Sequence, residues 1–186
     1  MGNLFWKDIT SASKKKGANA MYPMRRYDYV GAMEHELTYQ EFLFHLSKID
    51  NDTIFEIFMP SEKIPILNVK LIMNKSGDAK LRCYIANKIE DEIIPVLYEK
   101  MNHLNSRYRF VCLSIDEERD LCSAYDFFIC GDEENAVKQI MRTMILFSDI
   151  TDLCISKLYP LIWKEEEDKA QEKQKKNAVQ DEGDEV

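Results

Sequence analysis

The sequence predicts an α+β fold in the order α-β-β-β-α-β-β-α, an antiparallel sheet packed by helices. Three observations predict it. Several short runs alternate apolar and polar residues with period two, two long stretches carry apolar residues at helical spacing, and the connections between neighbouring alternating runs have hairpin length. A Rossmann or barrel enzyme would need a crossover helix after each strand, which this order does not supply.

The first helix is expected to start at Thr38. Thr38-Tyr39-Gln40-Glu41 has the Ser/Thr-x-x-Glu spacing of a capping box, and Phe42, Leu43, Leu46 and Ile49 follow it. Residues 53–59 are β-branched and aromatic and end in Pro60-Ser61-Glu62-Lys63, a first strand closed by turn residues. Residues 66–73 set Leu67, Val69, Leu71 and Met73 against Asn68 and Lys70. After the turn Asn74-Lys75-Ser76-Gly77-Asp78, residues 79–86 set Leu81, Cys83 and Ile85 against Lys80, Arg82 and Tyr84. These three strands form a meander. From about residue 90 to 105, Ile93, Ile94, Leu97, Met101 and Leu104 make a helical stripe. Pro95 is tolerated if the helix starts near Glu90 or Asp91, or if it starts at Pro95 itself. Residues 109–115 and 121–129 flank the acidic turn Asp116-Glu117-Glu118-Arg119 as a second hairpin. Beyond Gly131-Asp132, a stripe from Val137 through Ile140, Met144, Phe147 and Leu158 predicts one long helix reaching Trp163, with Ser148 the candidate kink.

The chain has 186 residues, 45% of them hydrophobic, enough for one domain whose core needs no staple. Its domain is expected over residues 38–163, between an N-terminal arm over 1–37, partly disordered, and a charged tail over 164–186. That tail carries five lysines against nine carboxylates and no large apolar side chain, so burial cannot offset an ordering cost of roughly 1–2 kcal/mol per residue. It is expected to fray or stay disordered, with only weak support from the pairs Glu165/Lys169 and Glu172/Lys176.

With 25 Lys and Arg against 33 Asp and Glu, the net charge of −8 argues against nucleic acid as a partner, since that affinity comes from neutralising phosphates. Arg142, Asp149, Asp152 and Lys157 interrupt the greasiest stretch, so no run approaches the roughly 18 apolar residues of a membrane helix. Lys14-Lys15-Lys16 has no leader-like apolar region behind it, and a cytoplasmic location is expected. Met1-Gly2-Asn3-Leu4-Phe5-Trp6 starts like a myristoylation signal, but Trp6 stands where Ser or Thr is required. Phe5-Trp6 with the lysine run is read as part of a disordered arm rather than a membrane-surface segment, and no stable membrane association is expected.

No catalytic constellation is evident. His35, His45 and His103 are far apart, and no close cysteine pair suggests a metal, so neither a metal nor a cofactor is expected. The motifs G-x-S-x-G, G-x-x-x-x-G-K-[ST] and G-x-G-x-x-G are absent, and six scattered glycines cannot build a phosphate cradle. The runs Glu90-Asp91-Glu92, Asp116-Glu117-Glu118 and Asp132-Glu133-Glu134 suit helix starts or a solvated turn. The five cysteines, at 83, 112, 122, 130 and 154, are read as reduced thiols. A turn of two or four residues in the second hairpin would put Cys112 and Cys122 on opposite faces, and an odd loop would reverse that.

Residues 96–115, with the core Met101-Asn102-His103-Leu104-Asn105, resemble the YbjN family, whose fold looks like that of type III secretion chaperones. The shared pattern is an amphipathic helix ending in Asn-x-x-Asn, a strand with Tyr108 and Phe110, an acidic turn at Asp116, a second strand, and a long helix ending near Tyr159-Pro160. The resemblance covers roughly residues 38–163 and implies a small cytoplasmic protein of sensory or regulatory type. It also implies dimers that bind extended partner segments, and it carries no catalytic residue. Asn102 and Asn105 share a helix face and are read as structural. Asn105 is placed to end the helix in a left-handed conformation and Asn102 to bond the neighbouring chain.

The second hairpin is apolar on both faces. Val111, Leu113 and Ile115 oppose Phe110 and Cys112 on its first strand, and Leu121, Tyr125, Phe127 and Ile129 oppose Cys122, Ala124 and Phe128 on its second. Helices on one side cannot cover both faces. The second face meets another subunit or a partner peptide, or is covered by the long helix or by residues 21–37. The expected surface comprises Phe110, Cys112, Tyr125 and Phe127. The leading expectation is a non-enzymatic, homodimeric protein-binding module, chaperone-like or regulatory. The rival is a ligand sensor or enzyme with a pocket between sheet and helix, where Tyr84, His103 and Tyr108 supply polar groups.

Overall fold

Asp50 and Asn51 alone join the first two strands of the sheet, and Asp50 takes the left-handed conformation (φ 53°) that a short polar side chain tolerates. The computed structural model describes residues 27–74 and 77–163; the readings of the N-terminal residues up to 26 and of the tail from 164 lie outside them. The elements are α1 (Tyr29–Tyr39), β1 (Phe44–Ile49), β2 (Asp52–Met59), β3 (Leu67–Asn74), β4 (Asp78–Ala86), α2 (Ile94–Arg107), β5 (Cys112–Ile115), β6 (Leu121–Phe128) and α3 (Glu133–Ile162). The class is α+β as expected, with one more strand: the order is α-β-β-β-β-α-β-β-α. The six strands lie antiparallel in the order β1-β2-β3-β4-β6-β5.

Alternation decides which side of this sheet is the core. Phe55 and Ile57 on β2, Val69 and Leu71 on β3, and Leu81 and Cys83 on β4 are fully buried, while their sequence neighbours face the other way. All three helices pack on the buried side. Among them α3 is central, meeting β3 and β4, with α1 against one flank and α2, which also meets β5, against the other. Ile140, Met144, Phe147, Ile155 and Leu158 of α3 complete the core with Met33 and Leu37 of α1 and Leu97 of α2. Each such side chain contributes about 1.5–3 kcal/mol relative to exposure, which is why the amphipathic stripes dominate local propensity.

The helix expected to begin at Thr38 instead ends there. The Phe42 N–H reaches the Leu37 carbonyl (3.0 Å), the Glu41 N–H reaches the Thr38 carbonyl (3.1 Å), and Glu41 is left-handed at φ 58°. That is a Schellman cap, and the contact it favours is provided by buried Leu37 and core-packed Phe42. Thr38 turns its hydroxyl back to the Glu34 carbonyl and caps nothing downstream. Residues 44–49 then run as strand β1, whose Phe44 and Leu46 share the core face with Phe55 and Ile57.

The other helix boundaries follow from their caps. α2 starts at Ile94, between the two starts considered, with Pro95 in its first turn where a missing N–H costs no intrahelical bond. Asp132 caps α3, its carboxylate accepting the Asn135 N–H at 3.0 Å, with Glu133 and Glu134 at the positive end of the dipole. The helix is continuous over 30 residues through Ser148.

Candidate functional site

The β5–β6 hairpin, on which the sequence placed its candidate surface, is joined by the five residues 116–120. This odd loop sets the register: Cys112 faces Ala124, Leu113 faces Ser123, Ser114 faces Cys122 and Ile115 faces Leu121. The loop is held by its own side chains, Asp116 Oδ1 accepting the Asp120 N–H (2.8 Å) and Asp120 Oδ1 accepting the Lys88 N–H (2.9 Å). Cys112 and Cys122 therefore lie on one face of the sheet, the outcome reserved for an odd loop. Cys122 Sγ lies 3.3 Å from the Ser114 hydroxyl, and both thiols are free.

The four candidate residues divide between the two faces. Tyr125 and Phe127 point to the helix-bearing side, opposite Leu81 and Ala79, and are half-buried against the core. Phe110 joins them: its ring meets Tyr125 edge-on (5.4 Å between centroids), and Tyr125 stacks on Phe127 (5.9 Å). Phe110 precedes β5 and does not follow that strand's alternation, so the face assigned to it from parity is corrected. Cys112 is exposed on the opposite side. The Asn-x-x-Asn pair also divides. Asn105 lies within α2, outside the left-handed region, and its carboxamide holds Leu113 of β5 at both backbone groups (2.7 and 3.0 Å). Asn102 is exposed on the helix surface.

Among the described residues, nothing covers the sheet face opposite the helices. It carries Ile54, Phe58 and Ile72 half-buried, with Tyr84, Cys112 and Phe128 exposed; Phe128 is 73% accessible. Ion pairs interleave with them, Lys70 with Glu56 at 3.1 Å and Arg82 with Asp126 at 2.6 Å, and the Lys70 ammonium lies 5.9 Å from the Tyr84 ring centre. Charged pairs suit a wetted antiparallel face; Phe128 and Tyr84 do not need one. On the same face the Asn68 side-chain oxygen is buried with no hydrogen-bond partner, an acceptor left open. The sequence grouped Phe128 correctly with Cys122 and Ala124 but did not select it; its signal was its parity, opposite to Phe127.

A separate cleft of about 890 Å³ runs between α1 and α3. Its floor includes Ala32, Val137 and Met141, and its rim includes His35, Lys138 and Arg142 with four carboxylates, among them Glu134, which pairs with Lys138 and raises its pKa. At one end Asp28 donates its N–H to Glu133 (2.7 Å) and the Tyr29 hydroxyl donates to the Gly131 carbonyl (2.9 Å). Burial first, then the neighbouring Tyr27, Cys130, Asp132 and Glu133, hold the Tyr29 phenol above its usual pKa. The polar groups expected for a pocket between sheet and helix do not converge: Tyr84 lies on the face opposite the helices, His103 is exposed on α2, Tyr108 ends that helix, and none lines the cleft.

Burial pushes the Cys83 thiol up to about 12 and the Cys154 thiol to about 11, leaving both protonated at neutral pH. Among the described residues, no three His, Cys, Asp or Glu side chains converge as a metal site, and no helix is long and apolar enough to cross a membrane. The chain matches no family model, no curated protein and no solved structure.

Proposed function

We propose that this protein is a non-enzymatic, cytoplasmic protein-binding module, chaperone-like or regulatory and of the YbjN-like kind its sequence resembles, working as a homodimer. The observation that carries this reading is the sheet face that no described residue covers. A six-stranded sheet presents exposed Phe128 and Tyr84 and partly buried aliphatic residues on its helix-free side. Such a face is what a partner segment recognises, with the aromatic residues as anchors and the ion pairs interleaved between them as polar contacts.

The test is site-specific photo-crosslinking in cells, with the reactive group placed in the full chain at Phe128 and, as a control, at the exposed Tyr98 of α2. A discrete crosslinked protein from position 128 and not from 98 is expected. Crosslinks at neither position, or equally at both, would contradict the reading.

A second reading, a small-ligand sensor, is favoured by the α1–α3 cleft, whose volume falls in the range of about 300–1,000 Å³ typical of ligand sites. Saturable protection of Met141 from oxidation by a metabolite extract would move it ahead.

A further inference from the structure

The two edges of the sheet are finished differently. At one edge β5 is four residues long and Leu113, whose backbone groups point outward, is held by the Asn105 carboxamide. At the other edge β1 has six residues, and among the described residues no strand or side chain pairs with its free side. The Phe58 N–H bonds the Leu43 carbonyl, so the ladder turns the backbone groups of Leu43, His45, Ser47 and Ile49 toward β2. The N–H and C=O groups of Phe44, Leu46 and Lys48 are left pointing away from the sheet. Among the described residues their protection is slight: β1 has no proline, no bulge and a single charged side chain, Lys48, and two exposed aliphatic residues, Leu43 (68%) and Ile49 (59%), bracket it.

From this edge we infer that β1 pairs antiparallel with β1 of a second copy of the chain, making one continuous sheet across a two-fold axis at Leu46. The inference rests on the proposed homodimer and names its seam. A single register satisfies the backbone on both sides. With Leu46 opposite Leu46, Phe44 of each copy faces Lys48 of the other, and all three outward-facing residues of each strand form hydrogen-bonded pairs. A shift of two residues either way leaves one of them without a partner inside the strand.

The same register places Leu43 of one copy opposite Ile49 of the other, on the uncovered face. The two exposed aliphatic residues of each edge thus cover each other, and no like charges are opposed: His45 faces Ser47, and Lys48 faces an aromatic ring. Any strand would match the backbone; a second copy also supplies Leu43 and Ile49 at the spacing this register needs. The seam is narrow, so association is expected to be reversible and concentration-dependent.

Sedimentation equilibrium on the full chain, across a concentration series, tests this with three variants. Lys48→Pro removes an N–H that β2 does not use, and proline is tolerated on such an edge. Leu43→Glu places a charge against Ile49 of the other copy, and Leu43→Glu with Ile49→Lys restores a complementary pair across the seam. Circular dichroism and melting temperature confirm that each variant folds.

The expected result is a wild-type dimer whose dissociation constant rises by about tenfold or more in Lys48→Pro and in Leu43→Glu and recovers in the double variant. A dimer indifferent to all three variants would overturn the β1 seam and leave the homodimeric reading standing. A wild-type monomer at every concentration would overturn both the seam and the homodimer. Neither result bears on partner capture by the uncovered face, which the crosslinks from Phe128 decide.

Discussion

The Asn105 side chain accepts the Leu113 N–H at 2.7 Å and donates to the Leu113 carbonyl at 3.0 Å, so a helical carboxamide stands where a further strand would pair with β5. One residue thereby fixes α2 against the hairpin and closes that edge of the sheet. Replacing Asn105 by Ala is expected to cost about 1–3 kcal/mol, read as a shift of the urea midpoint at unchanged slope. Asn105→Asp keeps the acceptor but turns an oxygen toward the Leu113 carbonyl, and is expected to be at least as damaging at neutral pH. Amide exchange at Leu113 should accelerate in both.

Phe127 and Phe128 are adjacent in sequence and lie on opposite faces. Phe127 packs against the core beside Tyr125, whereas Phe128 is 73% exposed. Phe127→Ala is expected to destabilise by about 1–3 kcal/mol and Phe128→Ala by no more than about 0.5 kcal/mol. Partner capture should respond in the opposite order, and a thermal melt alongside a crosslinking yield measures both.

The Ser123 and Thr151 hydroxyls, both fully buried, lie 3.1 Å apart and tie β6 to α3. Removing one strands the other in an apolar setting. Ser123→Ala and Thr151→Val are each expected to cost about 1–3 kcal/mol, with the double variant losing less than their sum. A double-mutant cycle by urea denaturation supplies the coupling; additivity would show that the two do not act as a pair.

Burial raises the pKa of Cys83 from 9.0 to about 12 and that of Cys154 from 9.0 to about 11. Above pH 9 the unfolded chain ionises these thiols while the folded chain keeps them protonated, so the folded state binds more protons and stability falls as pH rises. Both thiols contribute to this fall above pH 9, Cys83 over the wider pH range. Cys83→Ala and Cys154→Ala should each flatten the curve measured by chemical denaturation between pH 8.5 and pH 11. At pH 8 a maleimide should label exposed Cys112 and Cys130 and spare both buried thiols until the chain unfolds.

The parts of the fold that were legible are those where burial writes an unambiguous period. The alternation of Leu67, Val69, Leu71 and Met73, and the stripe from Val137 to Leu158, were enough to locate β3 and α3, because each buries one continuous face. β1 was not legible. Leu43, Leu46 and Ile49 are spaced as a helix would space them, while as an edge strand its core face carries only Phe44 and Leu46 before Lys48.

The helix that does exist there, α1, contains Gly31 and buries only Met33 and Leu37, too little to reveal its face. Thr38 and Glu41 have capping-box spacing, yet in the fold Glu41 takes a left-handed conformation that favours glycine. At the candidate surface, strand parity separated Phe127 from Phe128. It misplaced Phe110, which lies before the strand and follows an aromatic contact instead. Asn105 was recognised as structural, but its partner eight residues away depends on how α2 and β5 meet, which no local pattern records.

The central claim, that the uncovered sheet face is occupied by a protein partner, is tested most directly by radical footprinting of Phe128 and Tyr84 in intact cells and in the purified protein. The account predicts that both are protected in cells relative to the purified chain, while exposed Tyr98 on α2 is labelled equally in the two settings. Equal labelling of Phe128 and Tyr84 in cells and in solution would show a face that stays wet, and would contradict the account.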